Sequence, residues 1–388
     1  MRPLIRALMV PVALAASTAI VLPSLHLAFR PARADYASED GVPELARGLA
    51  AREVRPEDEA ALRAANPEWE LMRRTFTSLA LANLALREPE RANVYVARID
   101  DMLARTTREA DEGGAERFLL PYARRQPWVR TGGASLFVEA ELALVLGARL
   151  AVAPDPARAP ELERRASRLA AMMRDGPLLV AESYPDECWT FDAATALAAL
   201  AVARHVLGAD VASSEALARD WVRVARERLI DPKTGLLVSS FTSDGRVLDG
   251  PEGSSIFFAA HALQLVDPAF ARDQWTRARD RLGVRVLGFA YAREWPARGA
   301  DDVDSGPSIP IAGANAGASG MMLVGAGAFD DEALLGELVT SLRFAAFPSS
   351  DARGARLLAS NAVGDAVLLY ALAEGPLWRL VGAKAGAS

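Results

Sequence analysis

An all-α fold, a closed ring of six inner and six outer helices, is what this 388-residue sequence predicts, and three observations predict it. Six segments rich in Ala and aliphatic residues recur along the chain, their starts about 50 to 65 residues apart, a repeat length typical of stacked supersecondary units. Amphipathic segments rich in Arg and Glu alternate with them. No stretch sustains the two-residue alternation of a sheet, and only Gly235–Phe241 reads as a brief strand.

Taken in order, the inner helices are expected over Leu71–Leu86, Ala134–Leu150, Thr190–Leu207, Ser254–Val266, Gly313–Ala328 and Asn361–Ala373. Each is apolar on nearly every side, the mark of a helix buried all round. The outer helices are expected over Val42–Ala64, Arg91–Ala110, Ala159–Arg174, Ser214–Leu229, Pro268–Leu282 and Glu332–Phe344, with one apolar face for the core and one charged face for water. Gly313, Gly317, Gly320, Gly325 and Gly327 crowd one inner helix, at a propensity cost of about 1 kcal/mol each relative to Ala. Close backbone packing at a crowded centre would offset it.

The N-terminus reads as a targeting segment. Arg2 and Arg6 precede an apolar run of 23 residues from Ala7 to Phe29, and Ala32-x-Ala34 then offers a small-residue cleavage site. The same run is long enough to span a bilayer. Residues 1–34 are therefore expected to be a signal peptide or a membrane anchor through residues 7–29, and residues 35–388 a single ring domain that is exported. It would lie in the periplasm or outside the cell, or be held on the inner membrane.

Composition removes several function classes. Net charge is −6 with acids and bases interspersed, which gives no footing for nucleic acid. One cysteine, Cys188, and three histidines rule out Cys- or His-rich metal cages, and no cofactor is expected. There is no P-loop, no strand-linked Gly-x-Gly-x-x-Gly, no His-Glu-x-x-His and no Gly-x-Ser-x-Gly elbow.

The six-fold alternation from Val42 to Ala373, with Ser183-Tyr184-Pro185-Asp186-Glu187-Cys188-Trp189-Thr190-Phe191-Asp192 leading into an Ala-rich helix, resembles the (α/α)6 toroid superfamily. That superfamily includes glycoside hydrolases, polysaccharide lyases and the linalool dehydratase-isomerase family. The last implies paired cysteines, a histidine and tyrosines around a cavity. Tyr184 and Cys188 stand at a junction of that kind, but no second cysteine exists, so that chemistry does not carry over intact.

In such a ring the loops leading into the inner helices converge on one mouth, where a small molecule or glycan would bind. Asp186 or Glu187 could supply one carboxyl of an acid–base pair and Asp302 or Asp304 the other. Arg124, Trp128, Arg130, Tyr184, Cys188, Trp189, Asp192, Trp295 and Asn361 are the candidate substrate contacts. A lyase would instead use Arg124, Arg130 and Tyr184 to neutralise a uronate and remove a proton. Each has a plain structural alternative: Asp186 as a helix N-cap, the Asp302–Asp304 cluster as a solvated turn, Cys188 as a small buried hydrophobe. Three functions stay open. They are acid–base hydrolysis or elimination on a carbohydrate, a linalool-type hydro-lyase or isomerase, and non-catalytic binding of a glycan or partner.

Overall fold

The computed structural model describes residues 2–37, 41–130, 132–297, 306, 308–309, 312–352 and 354–385. Six helices form the inner wall: α5 (Pro67–Arg87), α7 (Leu136–Val152), α9 (Thr190–Leu207), α11 (Gly253–Ala262), α13 (Ala316–Ala328) and α15 (Ala362–Ala373). Each packs on the next and α15 packs back on α5, so the ring is closed. Their apolar composition follows from this position, since α9 is buried on every face over its first fourteen residues, Thr190–Ala203.

The outer layer is α6 (Ala92–Gly113), α8 (Ala159–Asp175), α10 (Ser214–Arg228), α12 (Pro268–Leu282) and α14 (Glu332–Ala345), each against its inner neighbour. The sixth outer position departs from expectation. Val42–Ala64 is two helices, α3 (Glu44–Ala51) on α15 and α4 (Pro56–Ala65) on α5, because Pro56 cannot continue a helix from α3 but suits the first turn of a new one.

Side-chain caps fix where four of the inner helices begin. Asn66 accepts from Trp69 N ahead of Pro67, Ser135 from Val138 N, Asn315 from Ala318 N and Asn361 from Gly364 N. Among the described residues, seven short strands sit in the connections. β1 (Cys188–Trp189), β2 (Ser240–Phe241) and β3 (Val247–Asp249) form one sheet, and β4 (Gly283–Val286) with β5 (Phe289–Ala292), and β6 (Pro348–Asp351) with β7 (Gly354–Leu357), form two hairpins.

The base of the ring is sealed by α16 (Pro376–Ala385), which crosses α5, α7 and α9. Leu377 N donates to Asn83 Oδ1 at 2.9 Å, and the Trp378 ring stacks on His261 at 4.7 Å. The glycines of α13 divide into two uses. A Cβ on Gly325 would strike the Trp275 ring and one on Gly327 the Ala371 carbonyl, so close packing accounts for those two. Gly317 and Gly320 line a cavity instead, and a Cβ on Gly320 would also press on Val367 at 3.2 Å.

The N-terminal helix α1 (Arg2–Ser24) stands off the ring with Met9, Val12, Leu14 and Ile20 exposed. Its foot is docked. Phe29 meets Phe344 edge-on at 5.1 Å. Arg33 forms a forked pair with Glu332 at 2.6 and 2.8 Å, and Asp35 accepts from Arg343 at 3.1 Å. The short helix α2 (Arg33–Tyr36) spans the Ala34–Asp35 junction and packs on α14.

Candidate active site

Residues at the N-terminal ends of all six inner helices line one cavity of about 750 Å³. The inner helices therefore start at the same end of the ring, and the convergence the sequence implied is present. The lining is two-sided. The starts of α5, α9 and α11, with the turns before them, bring Glu68, Tyr184, Asp192, Glu252 and Ser254, flanked by Trp69 and Trp189. The arc from α13 through α14 to α15 contributes Leu338, Leu342, Val363, Val367 and Leu368, together with the small polar side chains of Ser319, Ser341, Ser360 and Asn361. Side chains at the start of α13 are too small to close the wall, so the cavity passes Gly317 and Gly320 and reaches the outer helix α14.

Asp192 sits in the first turn of α9 and is almost wholly hidden from water. Burial pushes its carboxyl well above the usual carboxylate range, the charges of Glu68 and Glu141 act in the same direction, and the neighbouring Ser183 hydroxyl opposes them. Helix-dipole stabilisation of a carboxylate at that turn is worth at most about 2 kcal/mol, too little to outweigh full desolvation. Burial thus favours the protonated form of Asp192. Glu68 is held by the Tyr184 hydroxyl, which donates to Oε2 at 2.7 Å while accepting from Leu120 N at 3.1 Å. Stacking on Tyr122 at 4.9 Å fixes the Tyr184 ring, and burial keeps its hydroxyl protonated. Glu141, deeper on α7, is pushed up to about 8 chiefly by burial.

Four of the residues expected from the sequence line this cavity: Tyr184, Trp189, Asp192 and Asn361. Others lie elsewhere, each for a local reason. Asp186 is no helix cap: it occupies a left-handed corner (φ +59°) of the turn closed by Glu187 N on Tyr184 O, and its carboxyl accepts from Ser243 N at 3.0 Å. Glu187 is engaged by the Tyr122 hydroxyl and the Trp189 indole. Neither carboxyl is in the lining. Arg124 is exposed and paired with Glu116, and Arg130 reaches the Asp175 carbonyl, so no arginine from that loop enters. Trp128 and Trp295 are half-buried outside the lining. Cys188 is buried toward the Val180 carbonyl, with its thiol pushed up to about 12 by burial, which leaves it inert. Asp302 and Asp304 lie outside the described residues.

Glu68 is a functional candidate that the sequence reading missed, and Glu252, which falls in the loop entering the fourth inner helix, is a further one. For Glu68 the signal was present: Asn66-Pro67 is a helix start, which moves the α5 boundary from Leu71 back to a Glu-Trp pair in its first turn. Glu182, by contrast, is structural. Its carboxylate accepts from the backbone N–H groups of Val129, Arg130 and Asp186, bracing the two loops that wall the mouth.

No protein-family model matches the chain, and no curated protein does. Among solved structures, it is similar to the GH76A α-1,6-mannanase of Salegentibacter sp. HEL1_6, with a TM-score of 0.51 and 11% identity, covering 85% of this chain and 98% of that one. A possible GH105 family member from Salmonella enterica subsp. enterica serovar Paratyphi A gives a TM-score of 0.49 at 15% identity, over 77% of this chain and 82% of its own. For an unsaturated glucuronyl hydrolase from Streptococcus agalactiae the values are 0.46 and 12%, over 77% and 80%. With the closed ring and its single-ended cavity, the mannanase likeness defines the architecture: the protein is an α/α toroid.

Proposed function

We propose that this protein is a membrane-anchored toroid enzyme that cleaves a carbohydrate-type substrate by acid–base hydrolysis. The observation that carries the reading is the presence, in one cavity, of a buried acid whose protonated form is favoured, Asp192, and a second carboxyl, Glu68, positioned by Tyr184. As the glycosidic C–O bond breaks, Asp192 gives its proton to the departing oxygen. Glu68 takes a proton from the water that attacks the sugar carbon, so charge is conserved across the step. Trp69 and Trp189 supply flat apolar faces for a sugar ring, and the mannanase likeness gives the scaffold a precedent. Hydrolysis is favoured over the lyase alternative because, among the described residues, no arginine or lysine lines the cavity to neutralise a uronate.

Retention of the N-terminal segment as an anchor is supported by the docked foot, since cleavage after Ala34 would cut within α2 and discard the Arg33–Glu332 fork. A second reading, dehydration or isomerisation of an apolar alcohol, draws on the apolar wall formed by α14 and α15. Against it, Cys188 stands outside the lining.

The test is turnover by the full chain on a panel of fluorogenic aryl glycosides and, in parallel, on terpenoid alcohols. Asp192→Asn and Glu68→Gln are each expected to lose about 10²- to 10⁴-fold in rate, the range for removing one acid or base. Asp186→Asn should stay within a factor of three. Full activity in Asp192→Asn would sink the assignment, and alkene release without sugar release would favour the second reading.

A further inference from the structure

The cavity and the docked foot of α1 both reach α14, and together they specify the substrate more closely. The apolar half of the lining is built by α14 and by the chain between α14 and α15, and α14 is where the foot docks. Along that rim, inward and outward residues interleave. Ala345, Ala346, Leu357 and Ala359 line the cavity, while their neighbours Phe344, Phe347 and Leu358 are exposed at 45, 59 and 55%. Leu358 N donates to Phe347 O and Ala359 N to Ala346 O, which holds the two rim segments side by side. Ile309 lines the cavity and is itself 59% exposed, so it marks the opening.

This exposed apolar strip continues into the foot of α1. Phe344 touches both Phe29 and Phe289, His26 lies against Phe289, and the hairpin tip beside them carries exposed Val286 and Leu287. From that foot rises a 20-residue span, Met9–Ala28, that is apolar enough to cross a bilayer and is not covered by the ring. A bilayer holding that span would meet the strip at its surface, and the rings and aliphatic tips would enter the interfacial layer. The strip's occupant is therefore lipid.

We propose that the cavity draws its substrate from the membrane as an amphiphile, with a hydroxylated head group among Glu68, Asp192 and Glu252 and a hydrocarbon tail along Leu338, Leu342, Val363 and Val367. The proposal rests on the hydrolytic reading for the role of the head group, but its binding claim stands apart from turnover. It gives a reason for a toroid cavity whose carboxyls gather at the starts of α5, α9 and α11 to carry leucine and valine along α14 and α15, where a hydrocarbon tail would be buried.

The test uses the full chain reconstituted in phosphatidylcholine/phosphatidylglycerol nanodiscs, with n-alkyl β-D-glucosides of six to twelve carbons as probes. Affinity for the monomeric probes should rise about fourfold per methylene, the step expected when each added CH₂ is buried. Ala345→Trp, a change at an exposed lining position that fills the exit, should flatten that slope. Capture from vesicles is followed by stopped-flow fluorescence of the cavity tryptophans Trp69 and Trp189. With Phe347→Asp/Leu358→Asp, the ratio of vesicle to monomer capture rates should fall at least fivefold. A slope that survives Ala345→Trp, or an unchanged capture ratio, overturns the proposal. Chain-length-independent cleavage of short soluble glycosides would overturn it too while leaving the hydrolytic reading intact. A steep, exit-dependent slope with no turnover would do the reverse.

Discussion

Glu70 on α5 and Asp192 on α9 are both hidden from water, and they ionise in opposite directions. Burial alone would raise Glu70, but Arg74, Arg63 and Arg73 hold its carboxyl down at about 2, with contacts of 2.7, 2.8 and 3.0 Å. At Asp192 burial raises the carboxyl, and the acidic neighbours Glu68 and Glu141 add to it. The difference teaches that depth does not make a buried acid functional. A group ringed by opposite charge is committed to structure, since its proton affinity has been removed, whereas one left among like charges keeps a proton to give. Glu68 and Glu70, two residues apart, fall on either side of this line: one faces the cavity and Tyr184, the other the arginines between α4 and α6.

The largest effect expected from breaking the comparison is on the paired side. Glu70→Ala should cost about 3–5 kcal/mol of stability, because it strands buried guanidinium groups and does not merely delete an attraction. Urea denaturation at pH 7 measures it, and a loss below 1 kcal/mol would show that Glu59 and Glu109 already satisfy those arginines. Next comes the unpaired side. Glu141 is pushed up to about 8 from an ordinary 4.5, and its Oε2 has no hydrogen-bond partner among the described residues. A raised acid favours the folded state at low pH, where both states hold the proton, and that advantage drains away as pH climbs from about 4.5 to about 8. Glu141→Gln removes the titration. It should gain about 1–3 kcal/mol over the parent at pH 8 and nothing at pH 4. Equal stability of the two chains at both pH values would contradict the assignment.

These pairings also mark what could be read from the sequence. The ring was legible because helix period, caps and repeat length are local and redundant. Thr190–Leu207 and Pro268–Leu282 run as the sequence implied, to the residue. The mouth was legible as a place, since loop order follows from helix order. Which carboxyl faces inward was not. Asp186 and Asp192 lie in one short segment, and a left-handed corner at Asp186 turns one aside while the first turn of α9 delivers the other. That corner is braced by Glu182 four residues back, and Glu182 is itself fixed by the backbone of Val129 and Arg130, a long-range contact with no local pattern. Trp128 and the arginines of its loop were chosen for chemical type, but Glu182 ties the backbone of that loop and leaves Arg124 and Arg130 outside.

The base of the ring supplies a third kind of buried group, neither charge-paired nor left with acids, and it sharpens the comparison with the smallest effect. His261 is fully buried, its Nε2 lies 2.7 Å from the Tyr370 hydroxyl, and its ring stacks on Trp378, whose indole donates to the His261 carbonyl at 3.3 Å. Burial lowers its pKa to about 3, so the folded state keeps it neutral while the unfolded chain binds a proton below about 6.5. Stability should therefore fall as pH drops from about 6.5 toward 3. Tyr370→Phe keeps the ring contacts and removes one hydroxyl, at an expected cost of about 1 kcal/mol, the low end for leaving a single buried partner unmade. Since the desolvated imidazole and not the hydroxyl sets the proton linkage, the variant should show the parent's pH slope, offset by a constant amount. Were the slope itself to vanish in Tyr370→Phe, the base would owe its pH response to the hydrogen bond, and desolvation could no longer serve as the common cause behind His261 and Asp192.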